Sequence, residues 1–361
     1  MRFIVTAAAA ALVLTRCGGG AAVDEIPADT LVFTDTVGVL LGDSSMMFGA
    51  VSRVIPVPEG FAVLDGVYCR LSFFGPDGGF LRSAGRAGAG PGEFSRPLTF
   101  CRLRDGGFLV YDLGAGSMMR LSPDLEFLGS CAMDRSYPMD MHTGTDSTVV
   151  MNLMALDLTD EGIMAGFRLQ ALNSATGEPV VTYMEHMAAL GSSGLDLRPF
   201  WPIFCTDGEG EVYVSLLDGA EYRIDRYSPG GELEGSIVLP PEERPPFDSE
   251  AHSLIFLPIT MPIQSNDGSC TLAVSAPETH PYVTGLSVDR DGNIWVRRMG
   301  LADSERWDVV SREGELLRRV VLLADTTGGD YPALHVSPDG MAATRQEYET
   351  ERFYMVGPGE P

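Results

Sequence analysis

The sequence predicts an all-β chain, a six-bladed β-propeller of four-stranded antiparallel blades with the last blade closed by an N-terminal strand. Three observations carry this. Gly 42 and Pro 24 in 361 residues, with 45% hydrophobic residues, suit a chain of many short strands and tight turns around a large core. A turn rich in Gly, Asp or Pro followed by an apolar strand recurs six times, at 58–65 (PEGFAVLD), 104–112 (RDGGFLVYD), 144–152 (GTDSTVVMN), 207–215 (DGEGEVYVS), 289–297 (DRDGNIWVR) and 337–345 (SPDGMAATR). The sixth copy stops short of an outermost strand, while residues 30–37 (TLVFTDTV) form an orphan strand ahead of the first copy. Joining the two closes the ring and leaves no open end to the array of sheets.

In chain order, residues 1–22 read as an export signal, with Arg2 before an apolar run from Phe3 to Leu14 and small residues after it. That run is too short to span a bilayer comfortably. Leu14-Thr15-Arg16-Cys17 and the Gly run behind it resemble the lipobox of bacterial lipoproteins, which implies lipidation at Cys17 and a membrane anchor. Arg16 stands where that family has a small residue, and ordinary cleavage after Ala22 is the alternative. Residues 23–29 are a linker, and 30–361 make one domain.

Each repeat then has a second turn at a regular distance, as in GPDGGFL (75–81), SPDLEFL (122–128), NSATGEPV (173–180), SPGGELE (228–234) and SREGELL (311–317). Between the turns lies a further apolar strand, so each unit is a meander of four short strands. Units of this size with four strands are the mark of propeller blades. The segment GRAGAGPGEFSRP (85–97) followed by RDGGFLVYD resembles the NHL repeat, in which a GPGEF-x-x-P loop leads into an inner strand. With the export signal, the whole mature chain resembles the six-bladed β-propeller lipoproteins of bacteria. The resemblance implies a cell-envelope protein and includes enzymatic relatives such as lactonases and peptide-modifying lyases.

Loops carried by a rigid scaffold are where binding concentrates. The connections at 82–98, 183–202 and 240–284 are enlarged, and the last has room for a short helix starting near Asp248-Ser249. Several units are entered through a proline with a notable residue before it: Arg96-Pro97, Tyr137-Pro138, Trp201-Pro202, His280-Pro281 and Tyr331-Pro332. Proline holds the preceding residue extended. In a ring, Arg96, Tyr137, Trp201, His280 and Tyr331 would gather at one mouth of the central channel and line a pocket, or else wedge between blades. Arg86, Arg198 and His252 lie on the same loops.

Composition excludes several chemistries. The net charge of −25 repels phosphate backbones, so nucleic acid is not a partner. All 25 basic residues are arginine, which removes Schiff-base lysine chemistry and the phosphate-loop lysine. GRAGAGPG leads to Pro97 and a strand, not to the helix N-terminus that phosphate loops need. No HxH, HExxH, CxxC or GxSxG occurs. The 289–293 segment DRDGN looks like a calcium loop but coincides with a blade turn and lacks the far glutamate. Glu93 reads as a carboxylate that locks its Gly-rich loop through backbone N–H groups. Cys69, Cys101 and Cys205 sit in apolar strand patterns and read as small buried side chains.

These readings predict a non-catalytic module that binds a protein or small-molecule ligand through its insertion-bearing face. No cofactor or metal is expected, and membrane contact comes only through the lipid anchor. The alternative is a metal-dependent propeller enzyme of the lactonase or lyase type, with a divalent cation in the channel. His142 and His335, on inner strands of the third and sixth copies, would face each other there.

Overall fold

The computed structural model describes residues 26–39, 41–133, 137–160, 162–191, 193–241, 243–247, 259–265, 268–301, 304–323, 331–346 and 352–359. The export signal, with Cys17, lies outside the described residues, as do His252 and the segment near Asp248 expected to be helical.

The described residues are almost entirely β. Four meanders stand as separate antiparallel sheets of four strands each. The first is β2 (Val51–Val57), β3 (Gly60–Asp65), β4 (Arg70–Phe74) and β5 (Phe80–Ala84). The second is β6 (Pro97–Arg102), β7 (Phe108–Asp112), β8 (Ser117–Leu121) and β9 (Phe127–Ala132). The third is β10 (Tyr137–Thr143), β11 (Thr148–Thr159), β12 (Gly162–Asn173) and β13 (Pro179–Ala189). The fourth is β15 (Pro202–Thr206), β16 (Val212–Leu216), β17 (Arg223–Tyr227) and β18 (Leu233–Val238).

The remaining meanders are fused rather than separate. β21 (Gly285–Val288), β22 (Ile294–Leu301), β23 (Ser304–Val310) and β24 (Leu316–Leu323) join β25 (Tyr331–Ser337), β26 (Gly340–Gln346) and β27 (Phe353–Pro358) in one eight-stranded sheet. The eighth strand, β1 (Ala28–Val37), causes the fusion. It pairs antiparallel with β27, from Leu31↔Pro358 to Val37↔Phe353, and parallel with β24, from Ala28↔Arg319 to Val32↔Leu323. The N-terminal strand thus completes the short last meander and also covers the edge of its neighbour.

The opening strands of these meanders, β2, β6, β10, β15, β21 and β25, neighbour one another in a closed cycle. The apolar core lies between sheets. Phe108 and Val110 of β7 pack toward the first sheet with Leu71 and Phe73, while Leu109 and Tyr111 pack toward the third with Val149 and Met151. Both faces of β7 are therefore covered, which is why it reads as an unbroken apolar run (FLVY, 108–111) before Asp112 and not an alternating one. The last junction returns to the start, with Ala342 and Phe353 against Val54, Phe61 and Phe74.

Past residue 258, the 240–284 connection holds two strands. β19 (Ile259–Ser265) and β20 (Gly268–Val274) form a hairpin, and β20 pairs in parallel with β14 (Leu195–Asp196). Leu272 and Val274 of this small sheet pack with Leu197 against Met154, Ala165 and Phe167, on the long hairpin of the third meander.

Candidate functional site

The Gly-rich loop between the first two sheets is built around two of its own side chains. Phe94 is fully buried among Leu71, Phe73 and Phe100, wedging the two sheets apart. Glu93 accepts from the Gly90 N–H (2.9 Å) and from Arg86 Nε (2.7 Å). The Gly90 N–H, followed by Arg86, holds the Glu93 carboxyl below its ordinary range. Gly85 has φ +92°, and a Cβ there would lie 2.4 Å from the Phe94 ring, so this position needs glycine on both counts. Arg86 is 80% exposed and engaged with Glu93. The loop's acid is accordingly a lock on the backbone, as its setting among glycines predicts.

The end of the same segment has a role the sequence reading missed. Asp112 is buried and accepts four backbone N–H groups. Two come from the incoming connection, Ser95 (2.6 Å) and Arg96 (2.8 Å), and two from the outgoing turn, Gly114 (2.9 Å) and Ala115 (3.1 Å). Asp65 does the same for Gly49, Ala50, Val67 and Tyr68. The signal was visible in the strand ends GFAVLD and FLVYD.

The pre-proline residues take diverse positions. Pro97, Tyr137, Pro202 and Tyr331 each begin a channel-lining strand. The Arg96 side chain is exposed, and its backbone is tied to the second sheet through Asp112 and the Leu113 N–H. Tyr137 is 46% exposed. Trp201 packs against Phe167 with the rings tilted and their centroids 5.1 Å apart, and also lines the channel. His280 is buried; its N–H donates to the Pro245 carbonyl and its ring meets Phe247 edge-on. Arg198 donates to the Ala276 carbonyl (2.6 Å) and lies 3.4 Å from Asp218, so it pins the small β14–β20 sheet to the fourth meander. The side chain of Tyr331 lies outside the described residues. Of these side chains, Trp201 reaches the channel wall and Arg86, Arg96, Arg198 and His280 do not.

The channel itself has a volume of about 830 Å³ and is lined by all six opening strands. Its interior is polar and charged. Arg53 donates to Thr99 Oγ1 (2.8 Å) and pairs with Asp140. The other oxygen of Asp140 lies 3.3 Å from His142 Nε2, and the His142 ring sits edge-on to Phe204. Enclosure in the channel pushes the Asp140 carboxyl up, but Arg53 and His142 outweigh it and hold the carboxyl well below the usual range. On the opposite side, His335 Nε2 is 3.0 Å from Thr344 Oγ1. Burial, with the nearby charges of Arg53 and Arg297, pushes the His335 imidazole down to about 3, so it is neutral at physiological pH. Arg297 comes from β22, one strand back from the wall. It reaches the channel past Gly285, its register partner on β21, where a Cβ would come within 3.1 Å of the arginine stem.

Cys101 and Cys205 also border the channel but are buried. Burial pushes the Cys101 thiol up to about 12 and the Cys205 thiol well above its ordinary value, so neither is a ready nucleophile. Cys69 is buried as expected, though in a turn at φ +52° and not within a strand. The DRDGN segment is a turn organised by Asp289, which accepts from Asp291 N, Asn293 N and Trp295 Nε1. Among the described residues, no three His, Cys, Asp or Glu side chains gather in a way that could hold a metal ion.

The chain matches no protein-family model and no curated relative. Solved structures do resemble it. A Bacteroides fragilis protein inferred to be exported aligns over 92% of this chain and 99% of its own, at 11% identity and a TM-score of 0.55. A member of the DUF4221 family from Bacteroides vulgatus aligns over 92% and 98%, at 9% identity and a TM-score of 0.53. The fold is a β-propeller. At these identities the likeness speaks to fold alone. A structure described as a gluconolactonase aligns over 91% of this chain and 94% of its own, at 15% identity and a TM-score of 0.42. The propeller scaffold accounts for the placement of the site: side chains on the strands that open the meanders, and on second strands where glycine makes room, converge on one enclosed space.

Proposed function

We propose that this chain is an exported, six-bladed β-propeller of the cell envelope that binds a ligand in its central channel, without catalysing its conversion. Counting the eight-stranded sheet as two blades bridged by β1 gives six blades, in keeping with the closed cycle of six opening strands. The apolar N-terminal segment and the lipobox-like Cys17 support export and a lipid anchor. The GPGEF-x-x-P loop supports kinship with NHL-repeat propellers. Overall likeness to a protein inferred to be exported is in keeping with this setting.

The observation that carries the binding reading is the channel. Its volume of about 830 Å³ falls within the range of small-molecule sites, and it places arginine, aspartate and histidine side chains among apolar walls. The face where the opening strands begin bears the enlarged connections and exposes Tyr137, Leu98 and the 67–68 turn, which gives a ligand or a protein partner an apolar approach. A second reading, a metal-dependent enzyme of the lactonase or lyase type, draws on the Asp140–His142 pair as an acid–base couple.

Two measurements on protein purified without chelator separate them. Calorimetric titration with a panel of small acids, alcohols and dipeptides is expected to give saturable binding with every titrant recovered unchanged. Turnover of lactone or peptide substrates at enzyme-like rates, with a stoichiometric divalent metal in the protein, would overturn the binding reading.

A further inference from the structure

We propose that the channel ligand carries a carboxylate, seated between the guanidinium groups of Arg53 and Arg297. This rests on the channel being the binding site and names the chemistry it selects. Both arginines line the same enclosed space, one from a wall strand and one from the strand behind it. Each is fixed by part of its guanidinium alone. Arg53 spends Nη1 on Thr99 and Asp140, and Arg297 spends Nε on Glu305. The remaining N–H groups, Nη2 and Nε of Arg53 and both Nη of Arg297, have no protein acceptor among the described residues. A planar carboxylate is the group that such paired N–H edges hold best, and orientation by a partner acid lowers the cost of ordering them.

The construction around Arg297 shows that it is aimed inward. Glu305 is buried and shared with Trp307 Nε1 (3.0 Å) and the Leu334 N–H (2.5 Å), so it anchors the arginine stem from behind. Gly285 leaves the opening through which the side chain passes. Both guanidinium charges reach His335, which lines the same channel, and disfavour its protonation, with Asp140 opposing them. Asp140, which lines the channel beside Arg53, is 41% exposed and disfavours a dianion, which argues for a carboxylate over a phosphate.

The test uses the whole exported chain. Acetate, succinate, benzoate and citrate are titrated alongside their amides and inorganic phosphate. At least one acid is expected to bind at least tenfold tighter than its amide and than phosphate. R53Q and R297Q should each weaken that acid at least tenfold, with R53K intermediate. Because either substitution strands an acid and could harm folding, phenylglyoxal modification of the wild-type protein is mapped by mass spectrometry. The bound acid should protect Arg53 and Arg297 while Arg96, exposed outside the channel, stays reactive. Equal binding of acid and amide, tighter binding of phosphate, or no protection of the two arginines overturns the proposal. If neutral compounds bind the channel while no acid is preferred, this proposal fails and the binding reading stands. Substrate turnover with a bound metal sinks the latter.

Discussion

At the scale of single residues, the channel is governed by charges that reach one another across different strands. His335 illustrates the consequence for stability. Its imidazole titrates near 3 in the folded chain, against about 6.5 in an unfolded one. Between these values the unfolded chain holds the extra proton, so stability falls as pH drops from about 6.5 toward 3. Asp140 adds to this lower down. Its folded pKa is depressed, so its contribution is present above the ordinary aspartate range and is lost as pH falls through it. We expect His335→Asn, which cannot take up a proton, to flatten the decline between pH 6.5 and 4 in urea-melt midpoints. An unchanged slope in the variant would place the acid sensitivity elsewhere. These residues were only partly legible in the sequence. His142 and His335 could be assigned to opposing inner strands, because the repeats gave the strand register. Arg53 and Arg297 could not be singled out, because an arginine inside an apolar strand is equally compatible with an outward, solvent-facing position. Arg297 further depends on Gly285, and the pairing of those two positions exists only once the sheet is formed.

At the scale of elements, the turn-and-strand repeats were readable because each strand-ending turn needs a particular residue type. Asp at the head of a turn accepts the following N–H groups, as Asp105 does from Gly107 and Asp207 from Gly210. Asp65 and Asp112 extend this from turn to connection, each tying the loop that enters its sheet to the hairpin that leaves its second strand. Asp112→Ala would strand N–H groups of Ser95, Arg96, Gly114 and Ala115 together. We expect it to cost about 2–3 kcal/mol, the scale of lost charge-assisted hydrogen bonds, read as a shift of the urea midpoint with unchanged m-value. Asp112→Asn, which keeps one acceptor oxygen, should lose less. Near-neutral behaviour of the alanine variant would mean that water replaces the carboxylate there. What the sequence did not yield at this scale was the β14–β20–β19 sheet. Its strands come from two connections far apart in the chain, and the parallel pairing covers only Leu195↔Leu272 and Asp196↔Ala273, too short to leave a periodic pattern. The directions of the pre-proline side chains were not legible in the sequence either. Proline fixes the backbone of its neighbour, but side-chain direction follows from local packing, which sends Trp201 onto Phe167 and His280 against Phe247.

At the scale of the whole molecule, the missing outer strand of the last repeat and the orphan strand at the start pointed to one closure, and β1 pairs with β27 accordingly. The second pairing, parallel to β24, could not be read from the sequence, since any outer strand presents the same unpaired edge. This double engagement lets β1 hold two meanders together, through Leu31 in the cluster with Leu322 and Tyr354 and through Val37 in the cluster with Phe353 and Phe74. Deleting residues 28–37 should therefore do more than fray an end. It would bare the edges of β24 and β27 at once and remove apolar contacts on both sides of the last meander, leaving an exposed template for pairing with other chains. We expect the truncated protein to lose its single cooperative thermal transition and to self-associate on size-exclusion chromatography. A synthetic peptide of residues 26–37 added in excess should restore the monomer, because the site it occupies is a preformed pair of strand edges. A truncated chain that stays monomeric and melts in one transition would show that the ring is held by the clusters between sheets alone, with β1 an accessory to it.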